Sequence, residues 1–143
     1  MKHLLILGFA LFLTISNISC TAQDNKSANS TAKVAKKVEV YYFHYTRRCM
    51  TCNKVEEESK KALEALYPEQ MKSGAISFQS VNLDEDSSKP IAEKCNASGQ
   101  SLLIISGSNK TDLTSQGFMY ATSNSAKLTE EIKKVVDPLL AKK

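Results

Sequence analysis

Cys49 and Cys52 stand three positions apart in the run Tyr45-Thr46-Arg47-Arg48-Cys49-Met50-Thr51-Cys52. Two thiols at that spacing can exchange with an external disulfide or close one between themselves. The reaction needs a thiolate, and an ordinary cysteine, with a pKa near about 8.5, is mostly protonated at neutral pH. Three features favour the thiolate at Cys49: the start of a helix, whose free N–H groups and dipole attract negative charge, and the basic side chains of Arg47 and Arg48. Cys52, one turn further in, is placed to resolve a mixed disulfide formed on Cys49. Thr51 can donate a hydrogen bond to a sulfur, and His44, five residues before Cys49, is a candidate proton donor.

The same spacing also suits a structural disulfide or half of a zinc site. A disulfide closing so short a loop gains little chain entropy, and zinc needs about two further ligands, for which Cys95 and His44 are the candidates. An oxidising compartment works against free thiolates, so no metal is expected. Paired thiols also suit a soft metal or metalloid ion, which keeps a second function open: a binding protein, or an accessory electron-transfer subunit without general exchange activity. Cys95 reads as a small buried hydrophobe, and Glu56 to Glu58 as a solvated helix face.

These side chains need a scaffold, and the flanking pattern predicts one. Val38 to Tyr45 is β-branched and aromatic with only partial alternation, as in a central strand covered on both faces. Val55, Ala62, Leu63 and Leu66 recur at helical spacing, with Glu56–Lys60 and Glu57–Lys61 as pairs on the wet face, so a helix is expected from Thr51 to Leu66, ending before Pro68. Ala75 to Asp84 alternates with period two as a second strand. Pro90 fits the first turn of a short helix reaching Cys95 and closed by Gly99. The continuous apolar run Leu102-Leu103-Ile104-Ile105 predicts a strand buried on both faces. Gly107 to Lys110 reads as a turn, Thr111 to Gln116 as a short antiparallel strand, and Ser125 to Leu139 as an amphipathic helix frayed or kinked at Pro138.

The 143 residues, 42% of them hydrophobic, hold one compact domain and a short appendage. The net charge of +4 is dispersed among alternating lysines and glutamates, which argues against nucleic acid as a partner. Met1-Lys2-His3 followed by the apolar run Leu4 to Ile15 is an export signal, too short for a membrane span. Asn17-Ile18-Ser19-Cys20 resembles a bacterial lipoprotein box, with Cys20 as the acylated residue, and Cys20-Thr21-Ala22 resembles an ordinary cleavage site. Residues 1–20 are thus signal and lipobox, and residues 21–37 a polar tether with a span of roughly 20–25 Å. Residues 38–143 form the domain. The expected location is the periplasm or cell envelope of a bacterium, anchored by lipid or soluble, and the membrane is met only through that anchor.

The order strand, helix, strand, helix, strand, strand, helix, with a dithiol between the first strand and first helix, resembles the thioredoxin superfamily. The resemblance covers about residues 38–140 and implies a three-layer α/β/α fold around a four-stranded mixed sheet, with two helices on one face, one on the other, and Cys49 exposed. It also implies thiol–disulfide exchange through a redox-active Cys49–Cys52 disulfide, with no other cofactor. The partner would be a protein or small-molecule thiol or disulfide, with a membrane electron donor possible behind it. Ser101 stands where the family has a cis-proline facing the dithiol; Phe43 and Arg48 stand where thioredoxins carry a buried acid and a Trp. The signal and the Thr-Arg-Arg-Cys-x-Thr-Cys core resemble a small exported family of Bacteroides-type bacteria, the ArsF-like subunits of a nitrophenyl-compound nitroreductase.

Overall fold

The computed structural model describes residues 37–141, so the export signal, Cys20 and the tether up to residue 36 lie outside the described residues. Strand β1 (Val38–His44) lies inside the sheet, parallel to β2 (Ile76–Asn82) and antiparallel to β3 (Ser101–Ser106). Strand β4 (Asn109–Asp112) adds antiparallel to β3, giving the order β2-β1-β3-β4. Val40 sits between Phe78 on one side and Ile104 on the other, which fixes the register at the centre.

Successive strand residues face opposite sides, and the helices cover both. Val38, Val40 and Tyr42 join Ile76, Leu102 and Ile104 in the larger core. Over it lie α1 (Met50–Leu66), α4 (Thr114–Tyr120) and α5 (Ser125–Ala141), contributing Val55 and Leu63, Ala121 beside α4, and Leu128, Ile132 and Val136. Tyr41, Phe43, Val81 and Leu103 point the other way and form a smaller core with Ala92 and Cys95 at α3 (Lys89–Lys94). Strands covered on both sides have no polar face to alternate. The architecture is therefore a thioredoxin-like three-layer α/β/α with a four-stranded mixed sheet.

Four local expectations are corrected. The chain after α1 forms a further helix, α2 (Pro68–Ser73), with Pro68 in its first turn and Gly74 ending it at φ +75°. The turn after α3 is made by Asn96 at φ +47° rather than by Gly99; asparagine tolerates this region better than most residues. The last strand begins at Asn109 and stops at Asp112, whose carboxylate accepts the backbone N–H of Thr114 at 2.8 Å and so starts α4 where the sequence suggested more strand. Gly117 lets α4 sit close, since a Cβ there would lie 3.1 Å from Val55 Cγ1 and 3.4 Å from Leu102 Cδ2. Finally, α5 continues through Pro138 to Ala141.

Two side chains pin the end of α1 to α5. The Tyr67 hydroxyl donates to Asp137 Oδ1 at 2.5 Å, and burial together with that carboxylate pushes the phenol well above its ordinary value. It therefore stays a donor at physiological pH. Tyr67→Phe should lower stability by about 1 kcal/mol in urea unfolding. Because the folded-state pKa is the raised one, this advantage is fully present below about pH 10 and is lost as pH rises beyond it. A difference that grew with alkalinity would contradict the assignment.

Candidate functional site

The dithiol lies where β1 passes into α1. Cys49 is exposed and caps α1 in an extended conformation, its sulfur accepting the N–H of Cys52 at 3.4 Å. Helical rise carries Cys52 inward, and only 6% of it is exposed. The two Sγ atoms are 2.7 Å apart. A disulfide bond measures about 2.05 Å, so closure takes a movement of less than about 1 Å.

The Cys49 thiol is held below its ordinary value, first by the hydrogen bond with the Cys52 thiol and next by the Cys52 N–H; desolvation opposes them, and the N–H groups of Thr51 and Cys49 add to them. Thr51 thus acts through its backbone. The N–H groups of the helix start contribute to this stabilisation, as the sequence suggested, and the neighbouring thiol is the largest single contributor. Alkylation of Cys49 should therefore show a pH midpoint below the free-thiol value of about 8.5. In Cys52→Ala that midpoint should rise; an unchanged midpoint would remove the neighbouring thiol from the account.

Arg48 does not stand free beside the sulfur. Its guanidinium pairs with Glu56, and both side chains are about three-quarters buried, with 25% and 27% exposed. Glu56 thus leaves the solvated face to which the sequence assigned it; the outer pairs of α1 are Lys54 with Glu57 and Glu58, and Lys60 with Glu64. Arg47 is exposed. His44 is 8% exposed, stacks on Tyr42 with ring centroids 5.9 Å apart, and places Nδ1 2.9 Å from the Tyr45 carbonyl. The next residue outward, Thr46, gives its N–H to Asp84 at 2.8 Å, tying this loop to the end of β2.

Ser101 opens β3 directly opposite Phe43 of β1, and its hydroxyl donates to the Gly99 carbonyl at 3.2 Å. A Cβ on Gly99 would lie 3.8 Å from the Tyr45 hydroxyl, so this segment borders the loop that carries the cysteines. All described peptide bonds are trans, including the one before Ser101. Cys95 is 2% exposed in the smaller core, and burial raises its thiol. It belongs to the opposite face of the sheet from Tyr42. Among the described residues no three His, Cys, Asp or Glu side chains form a group that could hold a metal ion. No described helix is long and apolar enough to cross a membrane.

Three residues near the dithiol carried no signal in the sequence reading. Tyr42 is fully buried beneath the start of α1, Gln100 Nε2 donates to its hydroxyl at 3.0 Å, and Glu56 answers Arg48. The strand phase could have placed Tyr42 on the same face as Val38 and Val40; nothing local marks Gln100, which comes from a loop 58 residues away. No protein-family model and no curated protein matches the chain. It is similar to a solved structure described as that of a malarial protein, 20% identical over 68% of this chain and 96% of that one, with a TM-score of 0.43.

Proposed function

We propose that the chain is a thiol–disulfide oxidoreductase working outside the bacterial cytoplasm, with Cys49 as attacking thiol and Cys52 as resolver. One observation carries the reading: an exposed, helix-capping cysteine with a lowered pKa lies 2.7 Å from a buried second thiol. In the first step the Cys49 thiolate attacks a substrate disulfide and expels one thiolate. In the second, Cys52 attacks Cys49 Sγ, the bond to substrate breaks, and its proton leaves with the released thiol. Two electrons pass to the substrate, and an external thiol must restore the reduced pair.

The cationic start and apolar run of residues 1–15, with the lipobox-like Asn17-Ile18-Ser19-Cys20, support export and an anchor at Cys20, and the resemblance to the thioredoxin superfamily supports the exchange chemistry. A protein or small-molecule thiol, itself supplied by a membrane electron donor, completes the cycle. The reading is tested by turnover of a small aromatic disulfide by the full chain with dithiothreitol as reductant. Repeated turnover is expected. Stoichiometric capture of arsenite without any turnover would overturn it in favour of a binding protein.

A further inference from the structure

One helical turn separates two thiols of opposite exposure: Cys49 meets solvent, and Cys52 is only 6% exposed. On its own face of α1 the neighbours of Cys52 are Val55 and Glu56, three and four residues on. Val55 is fully buried in the larger core and closes one flank. Glu56 stands at the border of the buried face, where a carboxylate ordinarily turns to solvent. The helix also offers it Lys60, four residues on. It takes neither course, because Lys60 pairs with Glu64 and Glu56 pairs with Arg48, which enters from before the helix. Helical side chains lean toward the N-terminus, so the Glu56 carboxylate reaches back along the Cys52 turn to meet a guanidinium coming forward from the residue before Cys49. The pair thus spans the outer flank of Cys52, with each side chain about three-quarters buried.

Resting on the function proposed above, we propose that the Arg48–Glu56 pair is a cover over Cys52 that bars external thiols and disulfides from its sulfur and so fixes Cys49 as the point of entry. The internal route stays open: Cys49 Sγ already lies 2.7 Å from Cys52 Sγ, so the two sulfurs can join while the pair remains closed. When an external thiolate meets the oxidised protein, its bond forms to Cys49 Sγ, the Cys49–Cys52 bond breaks, and Cys52 leaves with the electron pair. A second external thiolate then attacks the partner sulfur and releases Cys49. Two electrons thus come from the two external thiols, and both protein sulfurs take up protons from solvent. Arg48 and Glu56 act through the access they deny, as positioning residues.

The test reads access rather than turnover. In the full chain carrying Cys49→Ser, Cys52 is labelled with N-ethylmaleimide or with a polyethylene-glycol maleimide, reagents of one chemistry that differ in bulk, and the labels are placed by mass spectrometry of the digest. Labelling should be slow with both and slower with the bulky one. Adding Glu56→Ala should speed the bulky reagent about tenfold, the size of one lost hydrogen bond between charged groups, and the small one by less. The reversed pair, Arg48→Glu with Glu56→Arg, should restore slow labelling. Cys95 should stay unlabelled throughout, as its burial in the smaller core requires. An equal gain for both reagents would mark altered thiol reactivity, and a gain shared by Cys95 a loosened fold; either of these, or no gain at all, would overturn the cover. The exchange reading fails separately: a wild-type chain that did not turn over the aromatic disulfide would overturn that reading, and the ordering role with it, whatever the labelling showed.

Discussion

Cys49→Ser is expected to abolish exchange with a small disulfide, reducing its rate by about a thousandfold or more. A serine hydroxyl keeps the cap of α1, because its oxygen can accept the Cys52 N–H as the sulfur does. The fold is therefore expected to survive while the nucleophile is lost: an alcohol stays protonated where the Cys49 thiol ionises. Cys52→Ser should behave differently. Attack by Cys49 persists, but the mixed disulfide is no longer resolved and accumulates, visible as an added substrate mass on the intact chain. The contrast follows from exposure, since Cys49 meets solvent and Cys52 does not. If Cys49→Ser exchanged normally, or if Cys52 rather than Cys49 carried the trapped adduct, the order of attack would be wrong.

The largest loss of stability is expected from Leu63→Ala. Leu63 is fully buried in the major core with Leu128, Ile132 and Val136 of α5, and it anchors the C-terminal half of the helix whose first turn presents the dithiol. Removing three heavy atoms from such a site forfeits their transfer energy and leaves a cavity, together about 2–5 kcal/mol. Domains of this kind are stable by only about 5–15 kcal/mol, so the urea midpoint should fall by a large fraction. Lys60→Ala on the same helix is the comparison. Lys60 pairs with Glu64 at 3.9 Å on the exposed face, and its loss should cost no more than about 0.5 kcal/mol. Equal losses in the two variants would mean that α1 is not held by its inner face.

What the sequence disclosed and what it hid divide along physical lines. Strand β3 was legible because four consecutive aliphatic residues between glycines have few other uses, and β1 because its neighbours on both sides demand β-branched and aromatic side chains. The dithiol was legible as a motif, and its position at a helix start followed from the change of period after Thr51. Helix α4 was not. Thr114 to Tyr120 contains a glycine and no clear apolar stripe, and it is helical because Gly117 fits against Val55 and Leu102 and because Asp112 and Thr114 stop the strand. Pro138 misled for a related reason. It removes one N–H near the end of a 17-residue helix that Ile132, Val136 and Leu139 hold against the sheet, and packing outweighs that local cost.

Electrostatics near the site were the least readable. Arginines before a cysteine suggest a charge beside a thiolate, yet the Arg48 guanidinium reaches eight residues forward to Glu56. That pairing depends on how the loop enters α1, which no spacing rule records. The hydrogen bond from Gln100 to the Tyr42 hydroxyl likewise joins residues 58 apart, brought together only because the segment entering β3 runs beside β1. Such assemblies have no signature in a single sequence because each member is an unremarkable residue where it stands.

The central claim is that Cys49 and Cys52 form one reversible two-electron couple. It is tested most directly by equilibrating the full chain in glutathione buffers of graded potential, alkylating the free thiols, and counting the labels at each cysteine by mass spectrometry of the digested protein. The account predicts that labels at Cys49 and Cys52 disappear together along a single two-electron curve, while Cys95, buried on the other side of the sheet, keeps its thiol throughout. Labels that persist at Cys49 and Cys52 at every potential, or a disulfide that forms with Cys95 instead, would contradict it.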